Sequence, residues 1–118
     1  MGATDDVTVY FNPRCSKCRQ ARELLAAEGC SLDLYRYLDD GPSADEIHRL
    51  MGLLGIDDPR DMMRSGERVY RELGLADAGP DELVAAMVAH PILIERPIVI
   101  RGDRAVIARP PVLAKDVL

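Results

Sequence analysis

The N-terminal third of the chain combines two short strand-like runs with a helical segment between them. Residues 7–11 are rich in β-branched and aromatic side chains, and residues 32–37 alternate apolar with polar ones, which favours a strand in each run. Residues 16–29 carry Ala and Leu at helical spacing, and Gly29 is a typical helix end. A strand, a helix and a strand within about thirty residues form a right-handed βαβ unit with parallel strands. This unit predicts an α/β fold.

The rest of the chain adds helices and then a β-hairpin. Residues 42–92 contain several helix starts. Ser43 with Glu46 three positions later forms a capping box, and Asp57-Asp58-Pro59 begins a shorter helix to about Ser65, so this stretch is predicted to be a helical insert. Two short strands follow over residues 97–100 and 105–108, with a Gly-Asp turn between them, and the C-terminal residues suit a closing helix. This order predicts a thioredoxin-like two-layer sandwich with a four-stranded mixed sheet. The order of the strands within the sheet does not follow from propensity.

Length and composition narrow the class of protein. A chain of 118 residues suits one domain, and we predict a single domain over residues 1–118. No run approaches the ~20 apolar residues of a membrane span, and the acidic start over residues 1–6 lacks the features of a signal peptide. We therefore expect a cytoplasmic protein that does not associate with membranes. The net charge of −5 argues against broad nucleic-acid binding.

Cys15 falls where the first strand gives way to the helix. At that point backbone N–H groups without helical partners and the positive end of the helix dipole face its sulfur. Arg14, Lys17 and Arg19 belong to the same turn. These surroundings favour thiolate over thiol, and the thiolate is the nucleophilic form of cysteine. The sequence therefore predicts sulfur chemistry at Cys15.

A second cysteine, Cys18, follows in a C-x-x-C motif. Residues three apart share a helix face, so Cys18 is a candidate resolving thiol for Cys15 in a redox site. One alternative is half of a zinc site, but the other candidate ligands, Cys30, His48 and His90, follow no recognisable spacing, and no metal is predicted. In the other alternative Cys18 has no redox role and is a buried residue on the apolar face of the helix.

The Arg96-Pro97 pair begins the third predicted strand. A proline at the start of a strand is a position where the preceding peptide bond can be cis. In a thioredoxin-type fold this corner lies beside the cysteine loop, which would direct Arg96 towards Cys15. The alternative is an edge-strand proline preceded by a solvated arginine.

Several motifs, in this order along almost the whole chain, resemble the ArsC arsenate reductase family, whose relatives include the Spx regulators. They are Tyr10-Phe11-Asn12-Pro13-Arg14-Cys15, then Met62-Met63-Arg64 with Tyr70-Arg71-Glu72-Leu73-Gly74-Leu75, then His90-Pro91-Ile92-Leu93-Ile94 with Arg96-Pro97-Ile98-Val99, and Arg109-Pro110. The resemblance implies that Cys15 is the nucleophile. It also implies that Arg64, Arg96 and Arg109 hold the oxyanion.

The same resemblance implies reduction of arsenate to arsenite through a Cys15 thioarsenate adduct that a second thiol attacks. Arginine forks and helix N–H groups suit this chemistry because they neutralise and orient a tetrahedral oxyanion. The expected partners are arsenate or a similar oxyanion and a protein electron donor. That donor is glutaredoxin with glutathione, or thioredoxin, and no bound cofactor is expected.

Two departures from the enterobacterial type of the family keep other functions open. That type lacks a cysteine three residues after the nucleophile, whereas this chain has Cys18, which is closer to Spx. It also has a histidine where this chain has Phe11. Arg109-Pro110, in contrast, matches the reductases. The alternatives are an Spx-like redox-switched regulator that binds RNA polymerase, and a small thiol–disulfide oxidoreductase.

Overall fold

The computed structural model of the chain describes residues 6–118. Residues 1–5, which belong to the start predicted to lack a signal peptide, lie outside the described residues. The strands are β1 (Asp6–Tyr10), β2 (Ser31–Tyr35), β3 (Ile98–Arg101) and β4 (Arg104–Ile107). The α-helices are α1 (Ser16–Ala27), α2 (Ala44–Leu54), α3 (Arg68–Glu72) and α4 (Pro80–Ala89). Short 3₁₀ helices cover Pro59–Met62, Leu75–Asp77, Pro91–Leu93 and Pro111–Val117.

The four strands form one mixed sheet in the order β2-β1-β3-β4. β1 and β2 are parallel, with Val9 opposite Leu34, as the βαβ pattern predicts. β3 runs antiparallel to β1, with Val99 opposite Val9, and β4 runs antiparallel to β3. The predicted four-stranded mixed sheet is therefore confirmed. Its strand order places the third strand of the chain directly beside the first.

The β3–β4 hairpin turns more tightly than the sequence pattern suggests. Gly102 has a φ of 60°, which is the left-handed region that glycine adopts without steric cost. Gly102 and Asp103 form the two-residue turn, so the strands extend to Arg101 and resume at Arg104. The predicted spans of 97–100 and 105–108 are thus each displaced by one residue towards the turn.

The described residues fall into two compact units, one up to Tyr37 together with Arg96–Leu118, and the other Leu38–Glu95. In the first unit α1 packs against the C-terminal 3₁₀ helix. The buried side chains there come from β1, α1, β3 and the C-terminus: Val7, Val9, Phe11, Cys15, Cys18, Ala21, Leu25, Val99, Ala108, Ala114 and Val117. The single domain over residues 1–118 stays a prediction.

The second unit is helical, and α2 and α4 pack together within it. Ser43 begins α2, and its Oγ accepts the N–H of Glu46 at 3.1 Å. The carboxylate of Glu46 pairs with Arg49 at 3.1 Å. The part of the predicted capping box that the structure shows is therefore the hydrogen bond from the N–H of Glu46 to Ser43. No helix within residues 6–118 is long and apolar enough to cross a membrane.

Two predicted helices are 3₁₀ helices in the structure. The helix expected from Pro59 to about Ser65 ends at Met62, and the closing helix over Pro111–Val117 has the tighter 3₁₀ winding. The Pro59–Met62 segment has four residues, a length typical of 3₁₀ helices, whereas α4 also begins with a proline and is α-helical. The predicted closing element is present, with different hydrogen bonding.

Candidate active site around Cys15

Backbone turns hold Cys15 at the start of α1. The N–H of Cys15 donates to the carbonyl of Asn12 at 2.9 Å, and the side chain of Asn12 accepts the N–H of Arg14 at 3.0 Å. Cys15 is then the N-cap residue of α1, with extended backbone angles, and its carbonyl accepts the N–H of Arg19 at 3.1 Å. Asn12 thus shapes the loop through both backbone and side chain, as Asn does in tight turns.

The surroundings of Cys15 favour its thiolate. The side chain is only 8% exposed, and this burial by itself raises its pKa. The N–H and thiol of Cys18, the charge of Arg96 and the N–H of Lys17 act in the opposite direction. Together they hold the pKa of Cys15 below its ordinary value of 9.0. The lowered pKa agrees with the strand-turn-helix pattern, and the role of Cys15 as a nucleophile stays a prediction.

Cys18 has the opposite character. It lies one turn into α1, is completely buried, and its Sγ donates to the carbonyl of Tyr10 at 3.9 Å. Burial raises the pKa of Cys18 to about 12, and the neighbouring Cys15 adds to that rise, while the N–H of Asn12 and the charge of Arg96 oppose it. The two cysteines of the motif are therefore unequal, because one favours the thiolate and the other keeps its proton.

Two of the predicted arginines belong to the same unit as the cysteines. The charge of Arg96 acts on both thiols, and the half-buried residue precedes a cis bond to Pro97, as predicted. Arg109 also precedes a cis proline and is exposed. Its Nη1 donates to the carbonyl of Arg96 at 3.0 Å. The antiparallel pairing of β3 with β4 explains this contact, because Ile98 at the start of β3 lies opposite Ile107 at the end of β4.

The basic residues of the cysteine loop have mainly structural contacts. Arg19 donates from Nη1 to the carbonyl of Pro13 at 2.7 Å, and the guanidinium of Arg22 lies 5.3 Å from the ring centre of Phe11. Lys17 acts on Cys15 through its backbone N–H. The charge that lowers the pKa of Cys15 comes from Arg96, which is distant in sequence, and not mainly from this loop as expected.

Arg64 belongs to the second unit. Its Nη2 pairs with Glu67 at 2.9 Å, with about a quarter of each side chain exposed, and its backbone N–H donates to the carbonyl of Leu93 at 2.7 Å. Its predicted role in anion binding stays a prediction. The sequence motif that contains Arg64 does not indicate this ion pair with Glu67.

Cys30 lies away from the Cys15 site. It lines a cavity of about 520 Å³ with Asp6, Ser31 and Arg101, beside the first residues of β1 and β2. Cys15, in contrast, follows the last residues of β1. Within residues 6–118 no three His, Cys, Asp or Glu side chains are arranged to hold a metal ion.

Comparison with known proteins assigns the family. The family model described as "ArsC family" matches residues 10–115 of this chain. The chain belongs to the ArsC family. This ArsC family member is 42% identical over 114 residues to the arsenate reductase of Haemophilus influenzae, with 95% of this chain and 98% of the relative covered. It is 36% identical over 115 residues to an arsenate reductase of Escherichia coli, with 96% and 81% covered.

A solved structure gives the same result for the fold of this ArsC family member. The arsenate reductase from Vibrio cholerae superposes with a TM-score of 0.93 at 43% identity, and the match covers 96% of this chain and 98% of that one. Family and fold are thus both confirmed.

The backbone groups of Tyr10 and Asn12 that contact Cys18 were not predicted from the sequence, because backbone contacts leave no signal in side-chain patterns.

Proposed function

We propose that this chain reduces arsenate to arsenite with Cys15 as the nucleophile. The observation that carries the proposal is the environment of Cys15, where the N–H groups of Lys17 and Cys18 and the charge of Arg96 favour the thiolate. The same groups suit an incoming oxyanion, which a helix N-terminus and an arginine both attract. The relatives named arsenate reductase support arsenate as that oxyanion.

The first step is formation of a thioarsenate. The Cys15 thiolate attacks the arsenic of arsenate, a sulfur–arsenic bond forms, and one oxygen leaves as water after it is protonated. Arsenic stays pentavalent in this step. Arg96 and Arg109, and Arg64 from the second unit, are proposed to bind the arsenate oxygens, because attack of an anion on an anion needs compensating charge.

The second step reduces arsenic. A second thiolate attacks Sγ of Cys15, a disulfide forms, and the electron pair of the sulfur–arsenic bond remains on arsenic, which departs as trivalent arsenite. Two sulfur atoms are oxidised and one arsenic atom is reduced by two electrons, so the step balances. The second thiol is glutathione or Cys18. Glutaredoxin or thioredoxin then reduces the disulfide, and either protein can serve as this electron donor.

The two alternative functions receive less support. The relatives described above carry the name arsenate reductase, so an Spx-like regulator that binds RNA polymerase is not favoured. Arg109, which the Spx type lacks, also contacts Arg96 beside the cysteines. A small thiol–disulfide oxidoreductase would need no arginines at this position.

The proposal is tested by replacing the nucleophile. We expect Cys15→Ser to abolish arsenite formation, because a serine hydroxyl does not ionise near neutral pH and cannot form the sulfur–arsenic bond. Arsenite is measured with purified protein supplied separately with glutathione plus glutaredoxin and with thioredoxin plus its reductase. Cys30→Ser is the matched control, because Cys30 lines a cavity at the other end of β1 and β2.

The outcome separates the functions. Arsenite formation by the wild type and by Cys30→Ser, but not by Cys15→Ser, is the expected result. Disulfide exchange without arsenite formation under either reductant would contradict the proposal and favour the oxidoreductase. The reductant that sustains turnover identifies the electron donor.

A further inference from the structure

The two cysteines of the motif occupy the N-cap and the third position of the same helix. Cys15 is the N-cap residue of α1 and Cys18 lies three residues further on, which places the two residues on one side of the first helical turn. Both also belong to the buried cluster of the first unit. From this arrangement we infer that Cys18 is a positioning residue, whose thiol donates a hydrogen bond to the Cys15 thiolate and stays reduced during turnover.

The proton of Cys18 has two acceptors within reach. In the structure the thiol is 3.9 Å from the carbonyl of Tyr10, which is near the outer limit for a sulfur donor. The Cys18 thiol also acts on Cys15 as a hydrogen-bond partner, and the N–H of Asn12 points at the Cys18 sulfur. A thiolate is a stronger acceptor than a carbonyl because the bond is charge-assisted. Ionisation of Cys15 therefore turns the thiol proton towards Cys15.

A resolving role would require Cys18 itself to become a thiolate. Its side chain is 0% exposed, and burial together with the nearby Cys15 holds its pKa near 12. Among the described residues, none of the buried ones is a carboxylate or an imidazole that could accept the proton. A thiol that keeps its proton is a poor nucleophile.

The second thiol is therefore external. This step rests on the proposed function. The thiolate of a small-molecule thiol such as glutathione attacks Sγ of Cys15, the mixed disulfide forms, and arsenite leaves with the electron pair. Cys15 as a residue is 8% exposed, whereas Cys18 is 0% exposed, so Cys15 is the cysteine of the pair that keeps some surface towards an outside thiol.

Other groups around Cys15 have to be held constant in a test, of which Arg96 acts through its charge and Lys17 through its backbone N–H. Arg96 approaches from the residues that lead into β3, and Lys17 lies in the same turn of α1. Arg109 contacts the backbone of Arg96 from the end of β4. Substitution of Cys18 alone leaves all three in place, so a change in the pKa of Cys15 reports on the thiol donor.

The test compares Cys18→Ser with Cys18→Ala. Serine keeps a donor and alanine removes it, so we expect Cys18→Ala to raise the pKa of Cys15 by about one pH unit and Cys18→Ser to raise it by less. The pKa is measured from the ultraviolet absorbance of the thiolate as a function of pH, without arsenate. Equal pKa values of Cys15 in the wild type and in Cys18→Ala would overturn the inference.

Turnover supplies the second measurement. After a single turnover with arsenate and glutathione, mass spectrometry of the wild type is expected to show glutathione on Cys15. A disulfide between Cys15 and Cys18 would overturn the inference. If Cys18→Ala fails to fold, Cys18→Ser decides, because loss of its turnover with glutathione at an unchanged Cys15 pKa would also overturn it.

The two proposals fail in different ways. A wild type that forms no arsenite, while Cys15 titrates as expected in the Cys18 variants, contradicts the arsenate reductase and leaves the donor role of Cys18 supported. Arsenite formation together with an unchanged pKa of Cys15 in Cys18→Ala supports the arsenate reductase and contradicts the donor role of Cys18.

Discussion

At the scale of single residues, one helical turn gives two cysteines opposite properties. Cys15 gains N–H groups and the charge of Arg96, which outweigh its burial and lower its pKa. Cys18 is three residues further on, has no exposed surface, and its pKa is raised to about 12. Position within the turn, rather than residue type, therefore determines which cysteine favours the thiolate.

The arginines give the prediction that belongs to this scale. We expect Arg64→Ala, Arg96→Ala and Arg109→Ala each to lower kcat/KM for arsenate by about tenfold or more, because each removes a charge-assisted contact of ~1.5–3 kcal/mol. Arg96→Ala should in addition raise the pKa of Cys15, since the charge of Arg96 acts on that thiol. Steady-state kinetics and thiolate titration measure the two effects separately.

Arg104→Ala is the matched control for this series. Arg104 is exposed and lies at the turn of the hairpin, whereas Arg96 and Arg109 lie at its open end. Its substitution should leave kcat/KM within a factor of about two, as expected for a surface change of at most ~0.5 kcal/mol. Full activity in Arg109→Ala would contradict the assignment of three anion-binding arginines.

At the scale of elements, the site depends on one helix start and one hairpin. α1 presents its N-terminus to Cys15, and the β3–β4 hairpin connects Arg96 to Arg109. The hairpin reverses at Gly102, whose φ of 60° is unfavourable for a residue with a side chain. Gly102 thus closes the hairpin whose other end carries Arg96 and Arg109.

Two glycines of different conformation test the left-handed turn at Gly102. Gly102→Ala should lower the free energy of unfolding by about 1–2 kcal/mol, because alanine is strained at this φ. Gly52→Ala should raise it by about 0.5–1 kcal/mol, because Gly52 lies inside α2 with open space around its Cα. Urea unfolding followed by circular dichroism measures both. A stabilised Gly102→Ala variant would contradict the left-handed turn.

At the scale of the whole molecule, the buried thiol makes stability depend on alkaline pH. Folding raises the pKa of Cys18, so the native state binds this proton more tightly than the unfolded chain does. The contribution is fully present below the ordinary value of 9.0 and is lost as the pH rises through about 12. Cys15, with a lowered pKa, makes a constant contribution in that window.

We therefore expect the free energy of unfolding to fall more steeply above pH 9.0 in the wild type than in Cys18→Ser. Serine has no ionisation in this range, so the difference between the two proteins isolates Cys18 from the tyrosines and lysines. Denaturant unfolding on both sides of pH 9.0 gives the comparison. Parallel pH profiles for the two proteins would show that Cys18 is not a buried thiol.

The part of the fold that was predicted correctly rests on local patterns. The βαβ unit follows from side-chain alternation in residues 32–37 and from helical spacing after Cys15, and the structure confirms it. The segments that differ contain prolines or a tight turn, such as Pro59–Met62 and the hairpin at Gly102. There the short length of a helix or a left-handed residue decides the backbone conformation, and side-chain periodicity records neither.

The sequence by itself determined that Cys15 follows a strand and begins a helix, because both elements are short-range and are encoded in neighbouring residues. The similarity of its motifs to the ArsC family was also a property of the sequence alone. The tertiary structure decided what surrounds the sulfur. Placing β3 beside β1 brings the charge of Arg96 to Cys15, and packing of α1 against the C-terminal 3₁₀ helix accompanies the complete burial of Cys18. Strand pairing and burial join residues that are distant in the chain, so local patterns could not specify them.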